Sequence, residues 1–511
     1  MPRRLEWDGG FILALASVDI MRGSIPATRN VSPPSGAPIE FLPFEIESFD
    51  EPTRNAIFAL LMTTLARKLH LADYFSLGFG VMVGVGWLVV MDDWLLRGGP
   101  VGALLGFAVA SCMLLPVGWV YGQLIRTIPD AAGEVAYTAK VFPPSISYAT
   151  GWVMLLAYFV VCPYEAVAIG RIAGYLFPAL NTIELYRVGG YSIFLPHLVL
   201  GLALTAVFTA MNYRGVRLSA RFLRWTTLAV LSLVLLFATA GLKNGSVSNF
   251  HPAFSHSPLL SILLVWQIVP YFMTGFDAVG KCAEEASPEF PASSFSTAVI
   301  MAIVVGFFFY AVIIASVAFA VPWQSITQEK FATAVAFERA LRAPWIVKLI
   351  MATALVSLLK IFNANLLTAS RLLFALGRRH LVDSRLARLH PKNQTPTVAI
   401  LAIGAAIALA LFLGNAILVP ASEVGSVVGA LGWMAACAAY YRLSPSPGGR
   451  RVAAVGVLVT SLMAVMKILP FVPGHFTGYE WLALAIWCVL GALAKNRAPL
   501  DAMPSKEPQA R

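Results

Sequence analysis

Long apolar runs constrain this chain more than any other feature. Blocks of about 20 mostly uncharged residues recur from residue 73 to residue 494, the length a helix needs to cross a hydrocarbon core. A membrane barrel would instead show strands of about ten residues with alternating polarity. A soluble domain needs charged residues at about 25% of its composition. Here they make up 12%, against 58% hydrophobic residues. The chain therefore reads as an all-α integral membrane protein whose surrounding partner is the lipid bilayer.

The pattern predicts about twelve helices, with cores at 73–91, 99–125, 147–178, 194–211, 219–241, 258–281, 295–321, 345–377, 396–414, 420–441, 451–470 and 479–494. The third and eighth are long for simple spans, so tilt or extension beyond the bilayer is expected. Residues 67–495 form the membrane domain in this reading. Residues 1–66 differ, with Pro33, Pro34, Pro38 and Pro43 close together and an apolar stretch, Gly10 to Ile20, too short to span. A disordered cytoplasmic tail is expected there. A signal peptide near Ala14-Leu15-Ala16 and an extension upstream of Met62 are the alternatives. Residues 496–511 read as a cytoplasmic C-terminal tail.

The net charge of +11 does not indicate nucleic acid, because the basic residues sit between apolar blocks. With the N-terminus inside, the inner loops carry Arg126, Lys140, Arg214, Arg217, Arg221, Arg224, Lys281, Arg378, Arg379, Arg385, Arg388, Lys392, Arg442, Arg450 and Arg451. The outer loops carry Arg97, Arg187, Lys243, Lys330, Arg339 and Arg342, with Lys348 just inside span eight. This bias places both termini in the cytoplasm and fits a plasma (inner) membrane protein. Cys112, Cys162, Cys282, Cys437 and Cys488 lie in or beside apolar segments without metal-ligand spacing, so they read as small hydrophobes. No metal or other cofactor is expected.

Two apolar helices are interrupted by glycine: Gly78-Phe-Gly80-Val-Met-Val-Gly84-Val-Gly86-Trp87 in the first, and Tyr271-Phe-Met-Thr274-Gly275-Phe276-Asp277 in the sixth. They lie five helices apart, and interrupted helices at matching positions point to a transporter binding site. An unwound turn frees backbone groups in low dielectric, and glycine lets a ligand approach them closely. The glycines also read as packing notches between helices. Asp277 is a costly carboxylate in an apolar span. Lys360 is a second costly charge, about 20 Å or more along its helix from either end. Glu165, after Pro163-Tyr164, and Asp277 are the candidate counter-charges for Lys360. Two readings stand for this set: a fixed structural pair, or a proton-linked or substrate-contacting charge.

Several motifs in order give a family resemblance. They are Gly275-Phe276-Asp277-Ala278-Val279 with Glu284-Glu285-Ala286-Ser287-Pro288, and Ala369-Ser370-Arg371 through Gly377-Arg378-Arg379-His380. They continue with Leu389-His390-Pro391 and Thr395-Pro396, and include Gly99-Pro100 through Tyr121-Gly122-Gln123, Gly133-Glu134 and Asn212-Tyr213-Arg214-Gly215. From about residue 70 to about 490 the chain resembles the amino acid–polyamine–organocation superfamily, nearest its cationic-amino-acid and amine branches. The resemblance implies a LeuT-type fold with a 5+5 inverted repeat plus two helices, and alternating access around a central site. It implies that Val83, Gly84, Val85, Gly86 and Trp87 form the first break and Tyr271, Thr274, Gly275, Phe276 and Asp277 the sixth, with Phe276 or Tyr271 as a gate. Arg371 resembles a structural element of the cytoplasmic side.

The chain departs from the pattern in three places. Gln123 stands where relatives often carry an acid, Trp87-Leu88 follows the glycine pair, and Thr226 to Leu235 lacks the lysine that some proton-coupled relatives carry in helix five. Lys360 on helix eight is expected to supply a comparable charge and to replace sodium. The expected function is secondary active transport of an amino acid or related organic amine, by proton coupling or exchange. A non-transporting nutrient sensor on the same scaffold is the alternative. Neither a membrane-embedded enzyme nor a channel fits, because the intramembrane charges are single and form no metal cluster or ring.

Overall fold

The computed structural model describes residues 65–496, apart from Val85, Lys330, Pro344 and residues 473–474. Residues 1–64 and 497–511, which hold nearly all of both expected tails, lie outside the described residues, as does the site candidate Val85.

Helices dominate. In chain order they are α1 (Leu71–Met82), α2 (Gly86–Val89), α3 (Met91–Thr127), α4 (Glu134–Ala139), α5 (Pro144–Phe159), α6 (Val161–Leu176), α7 (Leu195–Arg214) and α8 (Val216–Asn244). Then come α9 (Pro258–Trp266), α10 (Val269–Phe272), α11 (Ala278–Lys281), α12 (Ser294–Ala320), α13 (Ala332–Leu341) and α14 (Trp345–Arg378). The last are α15 (Thr397–Ala410), α16 (Leu418–Leu443), α17 (Pro447–Ile468) and α18 (Gly478–Ala494). Among the described residues, 9 helical stretches are long and apolar enough to cross a membrane, and α1 and α18 are shorter apolar helices.

Local chemistry explains several boundaries. Asp73 accepts a hydrogen bond from the His70 amide at 3.0 Å and so starts α1. The first expected helix then breaks after Met82, where Val83 has extended backbone angles, and resumes as α2. The sixth expected helix is in pieces, with Gly275 at φ 138° between α10 and α11.

Three segments differ from expectation. The loop expected at 92–98 is helical, because no proline or positive-φ glycine occurs before Gly99 and Asp92 and Asp93 sit in the first turn of α3, where the helix dipole favours acids. The interruption comes instead at Gly99, with φ 64°, followed by Pro100. Between α6 and α7 lies an antiparallel hairpin, β1 (Glu184–Val188) and β2 (Tyr191–Phe194), turned by Gly189 and Gly190, both with positive φ. An amphipathic helix, α13, occupies part of the stretch before α14.

The core runs through the helix contacts. α12 packs on α3 and α1, while α14 packs on α6, α8, α5 and α1. Through these contacts α14 lies against the end of α1, where the first helix breaks.

Candidate functional site

The two broken helices meet. A Cβ on Gly275 would lie 2.6 Å from the Met82 amide nitrogen and 2.8 Å from Val81 Cβ, so one break rests directly on the other. Carbonyls freed at the first break are satisfied from neighbouring helices, as burial requires. Tyr310 of α12 donates to Met82 O at 3.3 Å. Ser357 of α14 donates to Val83 O at 3.2 Å and Gly84 O at 2.9 Å. Thr333 of α13 donates to Trp87 O at 2.5 Å.

Beside these breaks lies a cavity of about 170 Å³. Its lining includes the buried Glu165 and Asn365 with Gly84, Gly86, Tyr271 and Thr274, while the part-exposed Asp93, Arg97 and Glu423 mark its mouth, with Lys467 buried beside Glu423. Lys467 pairs with Glu423 at 2.5 Å and Arg97 with Asp93 at 2.7 Å. A dry cavity near 150 Å³ accepts a benzene-sized solute. The space therefore suits a small solute rather than a peptide.

Glu165 is fully buried in α6, and its Oε1 would lie 3.3 Å from a Cβ on Gly84. Its Oε2 has no hydrogen-bond partner among the described residues. Lys360 lies behind the first break, also fully buried. Its Nζ sits 4.6 Å from the centroid of the Phe79 ring and has no hydrogen-bond partner among the described residues. Glu165 is the nearby carboxylate that bears on it electrostatically, although the two form no direct ion pair or hydrogen bond among the described residues. A desolvated cation–π contact is worth about 2 kcal/mol. Burying an ion costs several kcal/mol. The ring alone therefore does not offset the burial of an ammonium.

Asp277 has other partners. It accepts hydrogen bonds from the Tyr158 hydroxyl and from the Gly275 amide, and it pairs with Lys281 at 3.3 Å. Lys281 also pairs with Glu134, which accepts from Tyr121 at 2.5 Å. Further from the cavity, Arg371 pairs with Glu285 at 2.7 Å. Arg378 bridges Glu284 and Asp130, and Arg379 reaches Asp130 at 2.6 Å. Asp93 and Asp130 flank opposite ends of α3, so these ion pairs lie on the side away from the mouth. Burial alone would raise the Asp130 carboxyl, but Arg379 and Arg378 outweigh it and hold it below the usual carboxylate range.

Comparison with known proteins decides the family. The model of the amino acid permease family matches residues 73–487. The chain belongs to that family. Among its relatives, the branched-chain amino acid permease BcaP of Bacillus subtilis is 25% identical over 377 residues, covering 71% of this chain and 77% of that protein. The methylthioribose transporter of the same organism is 25% identical, covering 65% and 72%. Cationic amino acid transporter 4 of Mus musculus is 27% identical over 383 residues, covering 72% and 58%.

In the permease, Gly84, Gly86, Tyr271 and Thr274 line the cavity together with Glu165. Val83 lies beside them and is buried. Trp87 is fully buried and meets the edge of Phe309 rather than the cavity. Phe276 packs between Trp433 and Tyr121, at centroid distances of 5.1 and 5.6 Å, and does not line the cavity. Asp277 pairs with Lys281, one helical turn along the same half-helix, and not with Lys360. Lys281 itself was expected among the loop cations, yet it is fully buried in an ion pair and carries no weight in the charge bias.

Sequence reasoning passed over Ser357, Asn365 and the Lys281–Glu134 pair. The i, i+4 spacing of Asp277 and Lys281 was the available signal for the pair those two form with each other; nothing in the spacing points to Glu134.

Proposed function

We propose that this permease is a secondary active transporter of a small amino acid or closely related amine, working by alternating access through twelve spans in a LeuT-type arrangement. One observation carries the reading: the cavity meets both helix breaks and is bounded by the buried Glu165. The backbone of residues 83–86 receives the carboxylate of the substrate, with glycine allowing close approach. Glu165 receives an ammonium. Lys360 stands where a cation would otherwise be needed and, with Glu165, forms the coupling pair.

Relatives named for branched-chain and cationic amino acids, and one named an aspartate-proton symporter, support an amino acid and a proton as the transported pair. The charge bias supports termini in the cytoplasm and a cavity mouth facing outward. The test is uptake of a panel of labelled amino acids and amines into proteoliposomes, with sodium replaced at constant membrane potential. Uptake of one panel member without sodium supports the reading. Uptake that collapses on sodium replacement overturns the role of Lys360, and no uptake by folded protein overturns the substrate class.

A further inference from the structure

Outside the cavity lining lies a charge cluster that the transport site does not use. Two carboxylates, Glu134 and Asp277, share the single ammonium of Lys281, and all three side chains are fully buried. The donors are unevenly distributed. Asp277 Oδ1 accepts from the Gly275 amide, and its Oδ2 from Tyr158 and Lys281. Glu134 Oε1 accepts from Lys281 and Tyr121. Glu134 Oε2 has no donor among the described residues. Fully ionised, the cluster would bury one uncompensated negative charge, and one carboxylate oxygen would lie out of water without a hydrogen bond. Both are expensive.

We propose that this cluster is a proton-binding latch: Glu134 holds one proton while the side away from the cavity mouth is closed, and opening of that side releases it. The proposal rests on the carrier reading only in taking that side to open. The cluster joins parts that must separate for this to happen. Asp277 and Lys281 belong to the half-helix beyond the Gly275 break, Tyr121 to α3, Tyr158 to α5, and Glu134 to the connection between α3 and α5. The Lys281 stem lies across Gly133, whose added Cβ would fall 3.2 Å from Cε, so the half-helix is seated tightly on that connection. It cannot swing away without breaking the pairs to Glu134 and Tyr158.

Other titratable groups facing the cluster are Tyr137 on α4, with Asp130 just before it, and Cys282 beside Lys281. α16 also packs on α4, but its Arg442 turns to the Val141 carbonyl and the Phe142 ring. Burial pushes the Glu134 carboxyl up, and the nearby Asp277 charge adds to this against the pull of Lys281. A carboxyl raised in the closed form favours that form in acid and loses the advantage as pH rises through its closed-state value.

Cys282, fully buried next to Lys281, reports opening without any substrate. The full chain, with Cys112, Cys162, Cys437 and Cys488 changed to Ala, is treated with N-ethylmaleimide over a range of pH, with and without Glu134→Gln. Thiolate formation alone raises the labelling rate about tenfold per pH unit below the thiol pKa. Release of the latch proton adds up to about another tenfold per unit in the parent and nothing in Glu134→Gln. Equal slopes in the two overturn the proposal. An infrared carbonyl band of a protonated carboxyl, present at neutral pH in the parent and missing in Glu134→Gln, is the second readout, and its absence from the parent also overturns the proposal. Should Glu134→Gln not fold, Glu134→Asp moves the band instead of removing it. Neither readout uses a transported solute, so the latch stands or falls apart from the amino acid assignment.

Discussion

Ser357 Oγ lies 2.9 Å from the carbonyl oxygen of Gly84 and 3.2 Å from that of Val83, so one hydroxyl on α14 serves both carbonyls where α1 ends. Ser357→Ala leaves them buried without that donor, at a cost of about 1–3 kcal/mol. The expected result is a lower melting temperature of the purified permease and slower uptake, with Ser357→Thr retaining most of both. Unchanged melting of the alanine variant would show that the break is held by other contacts.

Gly275→Ala should abolish function. Its φ of 138° is a conformation that side-chain-bearing residues rarely adopt, and its Cβ would fall 2.6 Å from the Met82 nitrogen. The backbone strain alone is about 1–3 kcal/mol, and the contact adds to it. Gly448→Ala is the matched control, since a Cβ there meets nothing within 4 Å. Monodisperse yield and uptake of both variants decide the matter.

Asp130 gives a pH prediction. Its carboxyl is held below the usual range by Arg379 and Arg378 against the pull of burial, so its contribution to stability is complete above about pH 5 and is lost as pH falls through the lowered value. Melting temperature measured from neutral to acid pH should fall more steeply in the parent than in Asp130→Asn. Above about pH 5 the difference between the two should be constant.

The sequence revealed the glycine interruptions because glycine pairs inside long apolar runs are visible without knowing how helices pack. Pairing of charges was less legible. Which carboxylate faces Lys360 depends on how α6, α11 and α14 are rotated about their axes; of the two candidates, Glu165 and Asp277, the latter pairs with Lys281 on one helix turn. The helix over residues 92–98 was hidden by the glycine and proline that follow it. Trp87 and Phe276 read as site residues by their neighbours in sequence, yet both turn into packed aromatic clusters.

Glu165→Gln should keep the fold, since Oε2 has no donor to lose, while removing the charge that acts on Lys360. The expected outcome is near-parental melting with uptake reduced about tenfold or more, which corresponds to about 1.4 kcal/mol. Parental uptake rates in this variant would remove Glu165 from the coupling pair.

The most direct test of the account compares the parent with Lys360→Ala in proteoliposomes, with and without an imposed proton gradient, using the amino acid that the uptake panel identifies. Gradient-driven accumulation by the parent, with the variant reduced to exchange, is the predicted result. Equal gradient-driven accumulation by both proteins would contradict a coupling role for the buried lysine.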